Sequence, residues 1–234
     1  MSDRRPVVIS GITQGIGRAL ALRFAQTGHP VSGCGRSAGA VAELRRSLGP
    51  GHLVEAVDVT DAAAVAGWAR TTVAELGAPL LVIANAGTIH PQRPVWEVDP
   101  ADFSALMRVN VDGVHTMAHA FLPTLLAAGG TFVAVSSGWG RNPREHLAAY
   151  TASKFAVEGY VEAVAREVPE HVKVVAVAPH SAVDTAMLAT CLPDEHHAYP
   201  APDAWARDAV DYLLHRLPHE PSGGGLSFPA PSGV

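Results

Sequence analysis

Tyr150 and Lys154, in the run Tyr150-Thr151-Ala152-Ser153-Lys154, stand four residues apart, a spacing that puts a phenol and an ammonium on one face of a helix. A free phenol has a pKa of about 10. A cation beside it stabilises the phenolate, so the hydroxyl can trade a proton with a carbonyl or alcohol oxygen near neutral pH. The pair alone fits equally a buried ring next to a solvated amine, so its meaning depends on what the rest of the chain brings to it.

A second group of candidates lies near the start of the chain. There Pro6-Val7-Val8-Ile9-Ser10 reads as a short buried strand that runs into Gly11-Ile12-Thr13-Gln14-Gly15-Ile16-Gly17 and then into a helical pattern. Glycines at 11, 15 and 17 let the backbone turn sharply and approach a pyrophosphate, whose charge is favoured by free N–H groups and the dipole at a helix start. Gly11, Thr13, Gln14, Gly15, Ile16 and Gly17 are therefore expected to hold a dinucleotide. The next strand ends in Val31-Ser32-Gly33-Cys34-Gly35-Arg36-Ser37, with no acid to bind a ribose 2′-hydroxyl. Arg36 offers a cationic planar fork to a 2′-phosphate and Ser37 a further donor, which favours NADP(H) over NAD(H). A solvated arginine opening the next helix is the other reading.

These groups must be positioned by regular elements. Apolar runs near 6–10, 30–35, 52–57, 80–84, 131–136 and 172–178 alternate with helical patterns near 15–27, 39–48, 61–76, 100–127, 148–168 and 202–216, and Leu226-Ser227-Phe228 can add a last strand. The alternation predicts an α/β fold: a single domain over 1–234, Rossmann-like, with a doubly wound parallel sheet flanked by helices and strand ends converging on one site. The fourth helical pattern is expected to bend around Asn110. Proline and glycine gather at 88–94, 138–143, 193–202 and the C-terminus, which reads as loops and a frayed tail.

Composition narrows the function. The 234 residues are 48% hydrophobic and 17% charged, enough for one large core. A net charge of −5 and a sequence pI near 6.2 leave no basic footprint, so nucleic acid is not an expected partner. No apolar run reaches the roughly eighteen residues of a membrane span, and the first strand is too short for a signal segment, so a cytoplasmic protein with no membrane partner is expected. Cys34 and Cys191 make no disulfide framework and no ligand-like cluster accompanies them, so no metal site is expected despite 12 histidines.

Taken together, the chain resembles the short-chain dehydrogenase/reductase family, in its compact type, over most of its length. The glycine spacing is G-x-x-x-G-x-G. Asp58-Val59-Thr60 follows the third strand and Asn85-Ala86-Gly87 the fourth, and then come Asn110, Ser136-Ser137, the Tyr150/Lys154 pair and Pro179 in the family's order, with Ser137 thirteen residues before Tyr150. The resemblance implies that Asn110, Ser137, Tyr150 and Lys154 surround a nicotinamide and a substrate carbonyl. Ser137 would donate to the carbonyl oxygen and Tyr150 would deliver the proton. Lys154 would bind the nicotinamide ribose and lower the phenol pKa, while Asn110 would hold a water that links Lys154 to solvent. It also implies that Asp58 binds the adenine amine beside Val59, that Asn85, Ala86 and Gly87 border the adenosine ribose, and that Pro179 and Thr185 lie against the nicotinamide. Where the family has Pro-Gly after the sixth strand, this chain has Pro179-His180, and the loop to Thr185 is one residue longer.

On the substrate side Trp139, His146 and His180 join Ser137 and Tyr150 as candidates. Residues 180–200 are expected to form a substrate loop or lid, within which 186–193 fits a lid and a core-packed helix equally. The implied activity interconverts a small-molecule ketone or other carbonyl with its alcohol, Tyr150 acting as acid or base. A 3-oxoacyl carrier-protein reductase is one alternative. A catalytically silent NADP-sensing binding protein is another, and the intact Ser137, Tyr150 and Lys154 weigh against it. The helices near 100–127 and 148–168 resemble those that join copies of family members, so a homodimer or homotetramer is expected.

Overall fold

Seven short runs of β-branched and small residues form the strands β1 (Val7–Ser10), β2 (Val31–Gly35), β3 (Leu53–Ala56), β4 (Leu81–Ala84), β5 (Gly130–Val135), β6 (Val172–Ala178) and β7 (Gly223–Ser227). They make one sheet in the order β3-β2-β1-β4-β5-β6-β7, parallel at every pairing. The structure is a computed structural model that describes residues 4–230. The end of the tail expected to fray, past residue 230, lies outside the described residues.

Every residue of β1, β2 and β4 is buried, which is why these strands read as continuous apolar runs instead of alternating ones. Successive side chains still point to opposite faces. Val7 and Ile9 enter a core with Leu20 and Phe24 of α1 (Gly15–Gln26), Val41 and Leu44 of α2 (Ala38–Leu48), and Trp205 of α8 (Pro202–Asp211). Val8 enters the opposite core with Trp68 of α3 (Ala62–Leu76), Phe121 of α5 (Gly113–Ala128), and Val157 and Val161 of α6 (Ala148–Ala165). The polar exception in β2 is satisfied: Ser32 Oγ accepts from Trp68 Nε1 at 2.9 Å and lies 2.7 Å from Thr72 Oγ1.

The bend expected around Asn110 is a π-helical turn, Arg108–Asp112, between α4 (Pro100–Met107) and α5. The segment after β6 holds a short helix, α7 (Ala186–Cys191), whose Leu188 and Cys191 are buried. Strand β7 starts earlier than its apolar residues indicate and enlists Gly223, Gly224 and Gly225. Carboxylate oxygens of Glu162 and Glu158 on α6 accept from the N–H groups of Gly224 (3.0 Å) and Gly225 (3.1 Å), which fixes that glycine run at the sheet edge. Among the described residues, no helix is long and apolar enough to cross a membrane.

Candidate active site

At the middle of the sheet β1 and β4 are neighbours, and the chain leaves them in opposite directions, towards β2 and β5. At such a switch point the loops that follow the strands part and leave a crevice. Here the crevice opens into a cavity of about 550 Å³.

Close backbone contact builds the inner wall. Gly11 has a φ of 68°, and a Cβ there would lie 2.8 Å from the Ala86 Cα; a Cβ on Gly17 would lie 2.2 Å from the Gly11 carbonyl oxygen. Ser10 Oγ accepts from the N–H groups of Asn85 (3.0 Å) and Ala86 (3.1 Å), while Asn85 Nδ2 donates to the Ser10 carbonyl at 2.9 Å. Asn85 thus stitches the two loops together. Helix α1 starts without a side-chain cap on Gln14 and without an acid in its first turn, so its leading N–H groups keep the capacity to bind an anion. Gly11, Thr13, Gln14, Gly15, Ile16 and Gly17 all line the cavity, a cradle that fits a pyrophosphate.

Past the cradle, Arg36, Asp58 and Val59, from the ends of β2 and β3, line the cavity, as do Ala86 and Gly87 after β4. Burial works to raise the Asp58 carboxyl. The Thr60 N–H and hydroxyl, each 2.9 Å from Oδ1, together with the Arg36 and Arg108 cations, outweigh it and hold the carboxyl below its ordinary value. Ser37, expected to touch the cofactor, lies outside this lining: exposed, it caps α2, its Oγ accepting from the Ala40 N–H at 3.4 Å.

Helix α6 delivers Tyr150 and Lys154 to the inner end, both buried and both lining the cavity. Ser137, at the exit of β5, hydrogen-bonds the Tyr150 hydroxyl, and its Oγ accepts from the Trp139 N–H at 3.2 Å. Lys154 Nζ donates to the Val135 carbonyl at 2.8 Å and sits 5.7 Å from the Tyr150 ring centroid. Asn110, in the π-helical turn, acts as a spacer between elements. Its Oδ1 accepts from the Thr88 N–H at 2.8 Å, and its Nδ2 donates to the Thr88 carbonyl and to Ser153 Oγ, both at 3.0 Å. Ser153 in turn donates to the Tyr150 carbonyl at 2.7 Å, so this chain of bonds sets where α6 places its phenol.

The net shift of the Tyr150 phenol is upward, opposite to the one its spacing from Lys154 leads one to expect. Burial dominates and pushes the phenol up to about 12, against the hydrogen bond from Ser137. Burial also draws Lys154 down to about 8, against the nearby Glu158 carboxylate. Tyr150 is therefore a neutral phenol at physiological pH, suited to giving a proton up to a strong base.

The geometry has a counterpart in known proteins. A family model described as short chain dehydrogenase matches residues 5–196. The chain belongs to that family. This short-chain dehydrogenase is 40% identical over 226 residues to an NADPH-dependent pterin aldehyde reductase of Arabidopsis thaliana, covering 95% of this chain and 93% of that protein. Its fold matches a 3-ketoacyl-(acyl-carrier-protein) reductase from Brucella melitensis complexed with NADH, at TM-score 0.86, 27% identity and coverage of 95% and 96%. It also matches a short-chain dehydrogenase from Escherichia coli CFT073 complexed with NADPH, at TM-score 0.87, 26% identity and coverage of 98% of each chain.

On the substrate side of the dehydrogenase, Trp139 lines the cavity and meets the Tyr150 ring edge to face at 6.0 Å. Helix α7 closes one wall with Met187, Leu188 and Cys191, and Leu192 and Tyr199 follow, so this segment is both a helix and a cover. Thr185 lines the cavity and caps α7, its Oγ1 accepting from the Leu188 N–H at 3.1 Å. Asp184 holds the cover down: its oxygens lie 2.6 Å from His196 Nδ1 and 3.2 Å from His197 Nδ1, and its N–H donates to the Pro200 carbonyl at 2.9 Å. Pro179 and His180 border the cavity, and His180, itself exposed, needs no left-handed backbone where the family has glycine. His146 is exposed and outside the lining; its φ of 62° is the only positive value on a non-glycine among the described residues. Two lining residues, Arg144 and Tyr199, carry no signal in the sequence, since loop paths alone bring them in.

Proposed function

We propose that this chain is an NADPH-dependent aldehyde reductase whose substrate is a planar heterocyclic aldehyde of the pterin type. The observation that carries the reading is the 40% identity, over nearly the whole of both chains, to an NADPH-dependent pterin aldehyde reductase. When bound, NADPH supplies the hydride that reduces the carbonyl carbon. Gly11 to Gly17 would cradle its pyrophosphate, Arg36 its 2′-phosphate, and Asp58 and Val59 its adenine. The Ser137 hydroxyl holds the carbonyl oxygen and stabilises the charge that grows on it. Tyr150 gives that oxygen its proton, a downhill transfer because a phenol held near 12 is a far stronger acid than the alcohol being formed. The charge on Lys154 favours the phenolate left behind and is balanced in part by Glu158. The test is NADPH oxidation with pterin-6-aldehyde set against simple ketones and a carrier-bound 3-oxoacyl group. Turnover of the carrier-bound group alone would replace this reading with that of an acyl reductase.

Cofactor choice gives a second test. Arg36→Ala is expected to weaken NADPH binding by about tenfold to a hundredfold, the worth of a charge-assisted hydrogen bond, and to leave NADH nearly unchanged because it lacks the 2′-phosphate. Fluorescence titration of each cofactor reads this directly, and equal losses for both would refute the assignment.

Self-association is expected too. Phe103 on α4 and Phe155 on α6 are 42% and 43% exposed, large apolar groups on elements that pack together. Covering them with a second copy removes that apolar surface from water. Light scattering should give a dimer or tetramer at micromolar concentration, and Phe155→Glu should shift it to monomer; a monomeric wild type would refute the interface.

A further inference from the structure

We propose that Arg144 selects the substrate: its guanidinium, laid over the face of Trp139 at the cavity wall, reads two adjacent acceptors on the aldehyde's ring, a carbonyl oxygen and a ring nitrogen. The inference rests on the pterin-type reading above and adds the recognition element to it. Arg144 is half-buried and lines the cavity beside Trp139, Tyr150, Cys191 and Tyr199. Its Cζ lies 5.6 Å from the Trp139 ring centroid, and no hydrogen bond or ion pair to the described residues engages it. The cavity lining contains one carboxylate, Asp58, at the opposite end beside Arg36. The substrate half thus presents five N–H donors with no protein acceptor, and leaving them unmet when a ligand excludes water is costly.

Geometry decides which ligand meets them. Arg144 keeps its Cζ 5.6 Å from the indole centroid, and a planar fork pairs best with two coplanar acceptors side by side, as it does with the ring nitrogen and carbonyl oxygen of guanine. A pterin 6-aldehyde presents such an edge in its N5 and O4 atoms, and N5 neighbours the carbon that bears the aldehyde. A molecule held by that edge therefore carries its carbonyl a bond or two away. Trp139, which supports Arg144, also meets the Tyr150 ring at 6.0 Å, so one indole links the reading group to the proton donor. Benzaldehyde offers no such edge.

The experiment compares wild type, Arg144→Met and Arg144→Lys with NADPH, and reads the ratio of kcat/KM for pterin-6-aldehyde over benzaldehyde. Both variants should lower the ratio by about tenfold to a hundredfold, mainly through KM, because lysine keeps the charge and loses the fork. An unchanged ratio in Arg144→Met overturns the proposal, as does full pterin selectivity in Arg144→Lys. It is also overturned if the ratio for 4-carboxybenzaldehyde over benzaldehyde falls further than the pterin ratio, which would mark a site for anions. Binding of 6-hydroxymethylpterin to the enzyme–NADP⁺ complex, followed by tryptophan fluorescence, provides an arm free of turnover. Affinity should fall by the same factor in Arg144→Met; equal affinity in both proteins, or no binding to wild type, overturns the proposal. Failure of wild type to reduce any aldehyde would remove the functional reading, and this binding arm would still decide Arg144.

Discussion

Tyr150→Phe should lower kcat by about a hundredfold to ten-thousandfold, the span of a positioned acid catalyst, with NADPH affinity nearly unchanged. The phenylalanine ring keeps the edge-to-face contact with Trp139 and the place beside Lys154, so the variant removes one hydroxyl and its bond to Ser137 and little else. Because burial holds the phenol near 12, its ionisation should leave carbonyl reduction untouched through the neutral and mildly alkaline range, whereas alcohol oxidation, which needs the phenolate, should climb as pH rises. Initial rates in both directions across pH would check the sign. A variant with near-normal kcat on a good aldehyde would end the assignment of Tyr150 as the acid.

Gly17→Ala should weaken NADPH binding by on the order of a hundredfold, through backbone displacement with no loss of any contacting side chain. A methyl at that position would sit 2.2 Å from the Gly11 carbonyl oxygen and 2.6 Å from Asn85 Nδ2, so the first turn of α1 must move away from the loops after β1 and β4 to admit it. Those loops are the inner wall of the cradle. Gly39→Ala is the contrasting substitution: it lies in α2 with nothing within 4 Å of its would-be Cβ, and should raise stability by about 0.5–1 kcal/mol while leaving cofactor affinity alone. Calorimetric titration with NADPH and a thermal melt of each variant separate the two effects. Unaltered affinity in Gly17→Ala would mean that the loop does not approach the cofactor.

The order of strands and helices was legible where a buried parallel strand is a continuous apolar run with a helical pattern after it, as in Val7-Val8-Ile9 and Val174-Val175-Ala176-Val177-Ala178. Strand β7 hid its glycines. They look like a loop, and what makes them a strand is Glu162 and Glu158, 62 and 67 residues earlier in the chain. The Tyr150/Lys154 pair showed in its spacing, whereas the direction of the phenol shift did not: it comes from burial by Trp139 and the α7 cover, which no local pattern reports. Ser37 and His146 attracted attention through residue type. One is spent on capping α2, and the other is turned outward with its carbonyl accepting from the Arg93 N–H. Arg144 went unread for the opposite reason, since a lone arginine seven residues past Ser137 gains meaning only when the loop lays it over Trp139.

The five-residue π-helical turn at Arg108–Asp112 makes this stretch intolerant of indels. A π turn carries one residue more in each hydrogen-bonded ring than the α-helices on either side, so deleting one residue there would let α4 and α5 fuse into an unbroken helix. The removed residue takes with it about 100° of rotation and 1.5 Å of rise, which would swing Asn110 off Thr88 and Ser153. Insertions in the cover loop near 193–201 meet no such phase constraint. Chain length should therefore vary freely across that cover and stay locked in the helix, although both segments border the same cavity.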